Sequence, residues 1–160
     1  FIGLRKNILN DIPIIGKYGV RKGGSGDQYM KGANLLHTIR QIIGNDEKFR
    51  QILRGLNKDF YHQTVTTKQV EDYISEKAEI DFRAVFDQYL RTTKIPQLEF
   101  HQQGKILKFK WNNTVAGFKM PVRLKSHSIM ITPSEEWQSI TLRDDTPVEV
   151  DENYYIDILK

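Results

Sequence analysis

Cysteine is absent from the 160 residues, which removes disulfides, thiol nucleophiles and thiolate metal sites together. The compartment stays open, because exported and cytoplasmic proteins can both lack cysteine. No apolar run approaches the length of a membrane-spanning helix, so no membrane span is expected, and the opening residues lack the order of a secretory signal. The four histidines, His37, His62, His101 and His127, never fall three or four residues apart. No helical turn therefore offers paired imidazoles to a metal ion, and each histidine reads as structural or solvated. There is no Gly-Lys-Ser or Gly-Lys-Thr phosphate loop, no nucleophile elbow around Ser25, no internal repeat and no low-complexity tract.

The first 26 residues are poor in acidic groups. Residues 1–26 carry Arg5, Lys6, Lys17, Arg21 and Lys22 against Asp11 alone, and this segment accounts for the whole net charge of +4. Only Phe1 and Tyr18 are aromatic there, too few to stack single-stranded bases. The basic stretch reads as a solvated surface, and no nucleic-acid partner is expected. Asp72 and Glu76 share a helix face at i, i+4, but Lys68 and Lys77 lie beside them, which predicts a solvated charged face rather than a metal site.

The periodicity of the remainder changes once. Glycines and Pro13 make residues 1–26 an irregular lead-in. Residues 27–91 then carry helical spacing. The first helix is expected from Asp27, its carboxylate capping the opening turn, to about Ile43, with Gly44 and Asn45 ending it. The second, roughly Asp46 to Tyr61, aligns Phe49, Ile52, Leu53 and Leu56. The third opens with Thr66 and Gln69 spaced as a capping box and buries Val70, Tyr73 and Ile74. The fourth starts at Asp81 and aligns Phe82, Val85, Phe86, Tyr89 and Leu90 on one face.

Pro96 blocks further helix, and residues 97–160 alternate in short runs: "KILKFKW", "FKMPVRLK", "SIMIT", "SITL", "VEV" and "YYIDI". Pro121 inside such a run marks an edge or a bulge. The predicted class is α+β: a helical half-domain over 1–95 and an antiparallel β-sandwich over 96–160.

One short stretch, "GSGDQYM", places Tyr29 at the start of a helix after a glycine-rich turn. A dinucleotide fingerprint would want glycine where Tyr29 stands, and Asp27 would repel a phosphate. Read by periodicity alone, Tyr29 is a packed residue at a helix start.

"YMKGANLLHTIRQIIGNDEKFRQIL", followed by "TVTTKQVEDYISEKAEIDFRAVFDQYLRTTKIPQLEF", resembles the later part of aminopeptidase N-type zinc peptidases, the gluzincin group. There a Tyr-x-Lys-Gly-Ala start opens a helix, and a short proline-containing link leads to a β-sandwich. The likeness spans about residues 1–110. It implies a parent that hydrolyses N-terminal peptide bonds with zinc, and a catalytic role for Tyr29 as donor to the oxyanion. Gly32 and Ala33 would let another helix pack closely.

The family's His-Glu-x-x-His helix, its downstream glutamate and its Gly-x-Met-x-Asn loop are absent here. All lie N-terminal to the tyrosine in relatives. The chain, beginning at Phe1 rather than Met, is therefore expected to be a piece of a longer protein. It should carry no zinc of its own, be inactive alone, and have the missing N-terminal part of the catalytic domain as partner alongside the parent's peptide substrate. The other reading is a non-catalytic interaction or scaffold module related to these peptidases.

Overall fold

In the computed structural model, residues 2–19 and 21–159 are described. Among them a 3-10 turn at Ile2–Asn7 and a second at Gly26–Gln28 precede four α-helices: α1 (Met30–Ile43), α2 (Asp46–Asp59), α3 (Thr67–Ala78) and α4 (Arg83–Arg91). Six strands follow: β1 (Gln97–Gln103), β2 (Ile106–Asn112), β3 (Val122–Leu124), β4 (Ile129–Ile131), β5 (Gln138–Thr141) and β6 (Asp157–Leu159). The α+β class read from the sequence stands.

Local chemistry accounts for the helix ends. Asn45 caps α2 by accepting from the Lys48 N–H at 2.9 Å. Thr66 and Gln69 form the expected capping box at α3. Gly44 closes α1 in the left-handed region, at φ 63°, donating its N–H to the Arg40 carbonyl. The apolar faces pack as the spacing predicts, with Ile52, Ile74, Phe82, Val85, Phe86 and Tyr89 all buried. Leu53, expected on the inner face of α2, is instead exposed.

The strands form a four-stranded sheet in the order β5-β2-β1-β6 and a two-stranded sheet of β3 and β4. In β2 the buried residues are Leu107, Phe109 and Trp111, with Lys108 and Ile106 facing out. The antiparallel expectation holds for β1–β2, β2–β5 and β3–β4. It fails for β6, which runs parallel to β1 with Leu98 opposite Ile158. A three-residue strand carries too little pattern to encode direction, and the path of residues 142–156 sets it instead. "VEV" forms no strand, only a bridge between Leu124 and Val150. Pro121 stands just before β3, where its missing N–H costs no ladder bond.

One apolar core runs from α1 to the sheets, from Leu35 and Ile39 through Phe86 and Leu98 to Trp111, Met120 and Leu124. Its polar seam is built on α4. Gln88 is fully buried; its amide donates to the carbonyls of Lys94 (3.0 Å) and Asn113 (3.1 Å), and its side-chain oxygen accepts from the Val115 N–H (2.7 Å). Asn113, at φ 56°, donates its own side-chain amide to the Ile95 carbonyl. The neighbouring Tyr89 hydroxyl, equally buried, donates to the Tyr155 carbonyl. Two adjacent side chains thus tie the last helix to the link, to the turn after β2 and to the C-terminal segment.

Replacing Gln88 by leucine keeps the volume but leaves three backbone groups without partners. We expect a loss of about 3 kcal/mol or more in urea unfolding. A change within about 0.5 kcal/mol would show that water replaces the amide at no cost.

Candidate functional site

Tyr29 stands between the 3-10 turn and α1, as the residue preceding the first helical turn. It is 72% exposed, and its hydroxyl makes no hydrogen bond to any described residue. The packed helix-start reading therefore does not describe this side chain. Its backbone, in contrast, is held on both sides. Two residues before it, Asp27 is 4% exposed; two residues after it, Lys31 is 1% exposed.

Asp27 does not cap the helix as its position suggests. Ser25 caps only the preceding 3-10 turn, its hydroxyl oxygen accepting from the Asp27 N–H at 3.1 Å and donating to Asp11 at 2.9 Å, and α1 itself starts without a side-chain cap. The Asp27 carboxylate turns away to accept the N–H groups of Leu9 (2.9 Å) and Asn10 (2.6 Å). Regular α-helix consequently begins three residues later than expected, at Met30. The carboxylate is more valuable on the lead-in, whose part-buried N–H groups have no ladder to join.

Lys31 follows the buried stripe of α1, one turn before Leu35 and two before Thr38 and Ile39. Its ammonium donates to the Thr92 carbonyl at 2.9 Å, linking the start of α1 to the end of α4. Burial holds the Lys31 ammonium below the ordinary lysine range, while the Asp27 carboxylate pulls the other way. The i, i+4, i+7 spacing from Lys31 was the signal in the sequence that this lysine faces inward.

The lead-in is docked in the same manner. Arg5 donates to Asn34 Oδ1 (2.7 Å) and to the carbonyls of Glu152 (2.9 Å) and Asn153 (3.3 Å), with its guanidinium 5.3 Å from the Tyr155 ring centre. One of the five basic groups in this segment is thus spent on internal structure.

Beside Tyr29 the surface opens into an apolar groove of about 450 Å³ between α1, α3 and α4. Leu36, Val70 and Leu90 form its walls, and Glu71 and Thr67 its rim. Glu71 is paired with Arg91 at 2.9 Å. A Cβ built on Gly32 would meet nothing within 4 Å, so the small residues after Tyr29 border open space. Spacing alone did not reveal this groove, because Val70 and Leu90 lie on the same stripes as core residues.

The histidines stay apart. His37 meets Asn153, His62 lies against Tyr61, His101 stacks on Trp137, and His127 hydrogen-bonds Ser126. Among the described residues no group of three or more His, Asp or Glu stands where it could hold a metal ion. The described residues do not fit a zinc site. Lys68 pairs with Asp72 at 2.6 Å on the solvated face of α3.

Two outcomes follow for the anchors. Asp27→Ala should cost about 1–3 kcal/mol and speed amide exchange at Leu9 and Asn10, with the amides of α3 left unchanged. For Lys31, the folded chain binds the side-chain proton less tightly than the unfolded chain does. Stability relative to Lys31→Met should therefore rise as pH climbs from the lowered folded value toward the ordinary lysine pKa. Parallel pH courses for the two proteins in urea unfolding would contradict this.

No protein-family model matches the chain. Among solved structures, Legionella pneumophila aminopeptidase A in complex with aspartic acid is similar, with a TM-score of 0.64 and 16% sequence identity. The match covers 85% of this chain and 18% of that one, so the chain spans less than a fifth of the length of the protein it matches. At this identity the likeness is one of fold: these helices and strands are arranged like part of an aminopeptidase.

Proposed function

We propose that the chain is part of a zinc-dependent aminopeptidase. Residues 1–95 would be the C-terminal helical part of its catalytic domain, and residues 96–160 would belong to the following β-sandwich. The carrying observation is the posture of Tyr29: an exposed phenol that bonds no described residue, on a backbone locked by buried Asp27 and Lys31, at the rim of an apolar groove. The resemblance of the Tyr29–Ala33 stretch to the gluzincin motif and the fold shared with an aminopeptidase support the reading.

In this role Tyr29 donates its hydroxyl proton as a hydrogen bond to the carbonyl oxygen of the scissile peptide as that oxygen gains negative charge. A phenol suits the task because it stays protonated near neutral pH and brings no charge of its own. A donor fixed in advance spends nothing on reorganisation when the charge develops. Zinc, held by residues outside this chain, would supply the activated water. The missing N-terminal part of the catalytic domain would cover the apolar groove, where Gly32 and Ala33 allow close helix approach. The isolated chain, lacking metal ligands, would be inactive.

Tyr29→Phe in the full-length parent is the direct test. It should lower kcat about a hundredfold to a thousandfold, with KM little changed. Unchanged kcat on an N-terminal peptide substrate would remove Tyr29 from the chemistry. An upstream coding region without a His-Glu-x-x-His pattern would favour the scaffold reading instead.

A further inference from the structure

Away from Tyr29, the outer face of the four-stranded sheet carries a second arrangement. Trp137, just before β5, is 45% exposed although it is one of only two tryptophans in the chain. Its indole lies 5.4 Å from the His101 imidazole, 30° from parallel, and the Lys110 ammonium sits 4.9 Å from its ring centre. Register explains the gathering. His101 on β1 stands opposite Lys108 on β2, and Lys108 stands opposite Ser139 on β5, all on the face turned from the core. The aromatic shelf therefore reaches across three strands.

The charges around the shelf are unequal. Lys110 is answered by Glu99, 3.4 Å away, and Glu99 also accepts from Asn112 at 2.6 Å. Lys108 has no acidic partner among the described residues. A groove of about 490 Å³ lies here, lined by His101, Lys108, Trp137, Gln138 and Ser139. Gln138 pairs in register with inward Phe109 and its side-chain oxygen accepts from the Ser134 N–H, so on the outer face the Ser139 hydroxyl is the group that bonds no described residue.

We propose that this groove binds an acidic saccharide, a pyranose bearing a carboxylate, on the shelf of Trp137 and His101. An indole face carries negative quadrupole charge and attracts the polarised C–H bonds on the flat side of a sugar ring. The Ser139 hydroxyl offers a hydrogen bond to a ring hydroxyl, and the unanswered Lys108 ammonium selects a sugar with a carboxylate. A single-stranded nucleic acid fits less well, since one unpaired lysine makes no cationic track for successive phosphates. The site lies on the sheet and is independent of Tyr29.

The two tryptophans make the test direct. Trp111 is 1% exposed, so acrylamide quenching of fluorescence reports on Trp137. A glucuronate-containing tetrasaccharide should shield Trp137 at roughly millimolar concentration or below, and a neutral glucose tetrasaccharide about tenfold more weakly. Lys108→Gln should erase that preference while leaving neutral binding alone. Trp137→Ala should abolish binding of both, read from the amide shifts of Ser139 and His101. Equal shielding by the two sugars, equal shielding by acetate alone, preference for poly-uridine, or no shielding up to about 10 mM would each overturn the proposal.

Discussion

The arrangement of this chain depends on a fully buried amide. Gln88 satisfies three backbone groups at the place where helices give way to strands, and no apolar side chain could do the same. Hydrophobic burial brings α4 against the sheet but is indifferent to sliding or rotation. The directional bonds of Gln88, with Tyr89 beside it holding the Tyr155 carbonyl, choose one register out of many. Burial pushes the Tyr89 phenol well up, so it stays a neutral donor.

That rigidity reaches Tyr29 through the ends of two helices. The carbonyl that receives the Lys31 ammonium belongs to Thr92, one residue beyond α4, whose last turns carry Gln88 and Tyr89. On the other side, Asp27 gathers the lead-in, and Arg5 fastens that lead-in to the C-terminal segment. An exposed phenol with an immobile base is a useful combination, because the tip can meet a partner while the base resists displacement. Buried Lys31 costs desolvation, and a fold that keeps it spends stability on position.

The sheet shows the converse economy. Its inner face is filled by Leu98, Phe100, Leu107, Phe109 and Trp111, which alternate with polar residues along β1 and β2. Its outer face needs only to stay soluble, yet it carries an aromatic shelf and an unanswered lysine. Burial does not ask for either feature.

Much of this was legible in the residues. Helical spacing located α2, α3 and α4 within a few residues, the Thr66–Gln69 pair announced its capping box, and alternation marked β2 to β5. These features are local: they follow from side-chain period and from groups a few residues apart. The direction of β6, the inward turn of the Asp27 carboxylate, the burial of Lys31 and the meeting of His101 with Trp137 were decided by the tertiary structure. Each joins residues far apart in the chain, and only packing determines which distant backbone group a buried charge or ring will find.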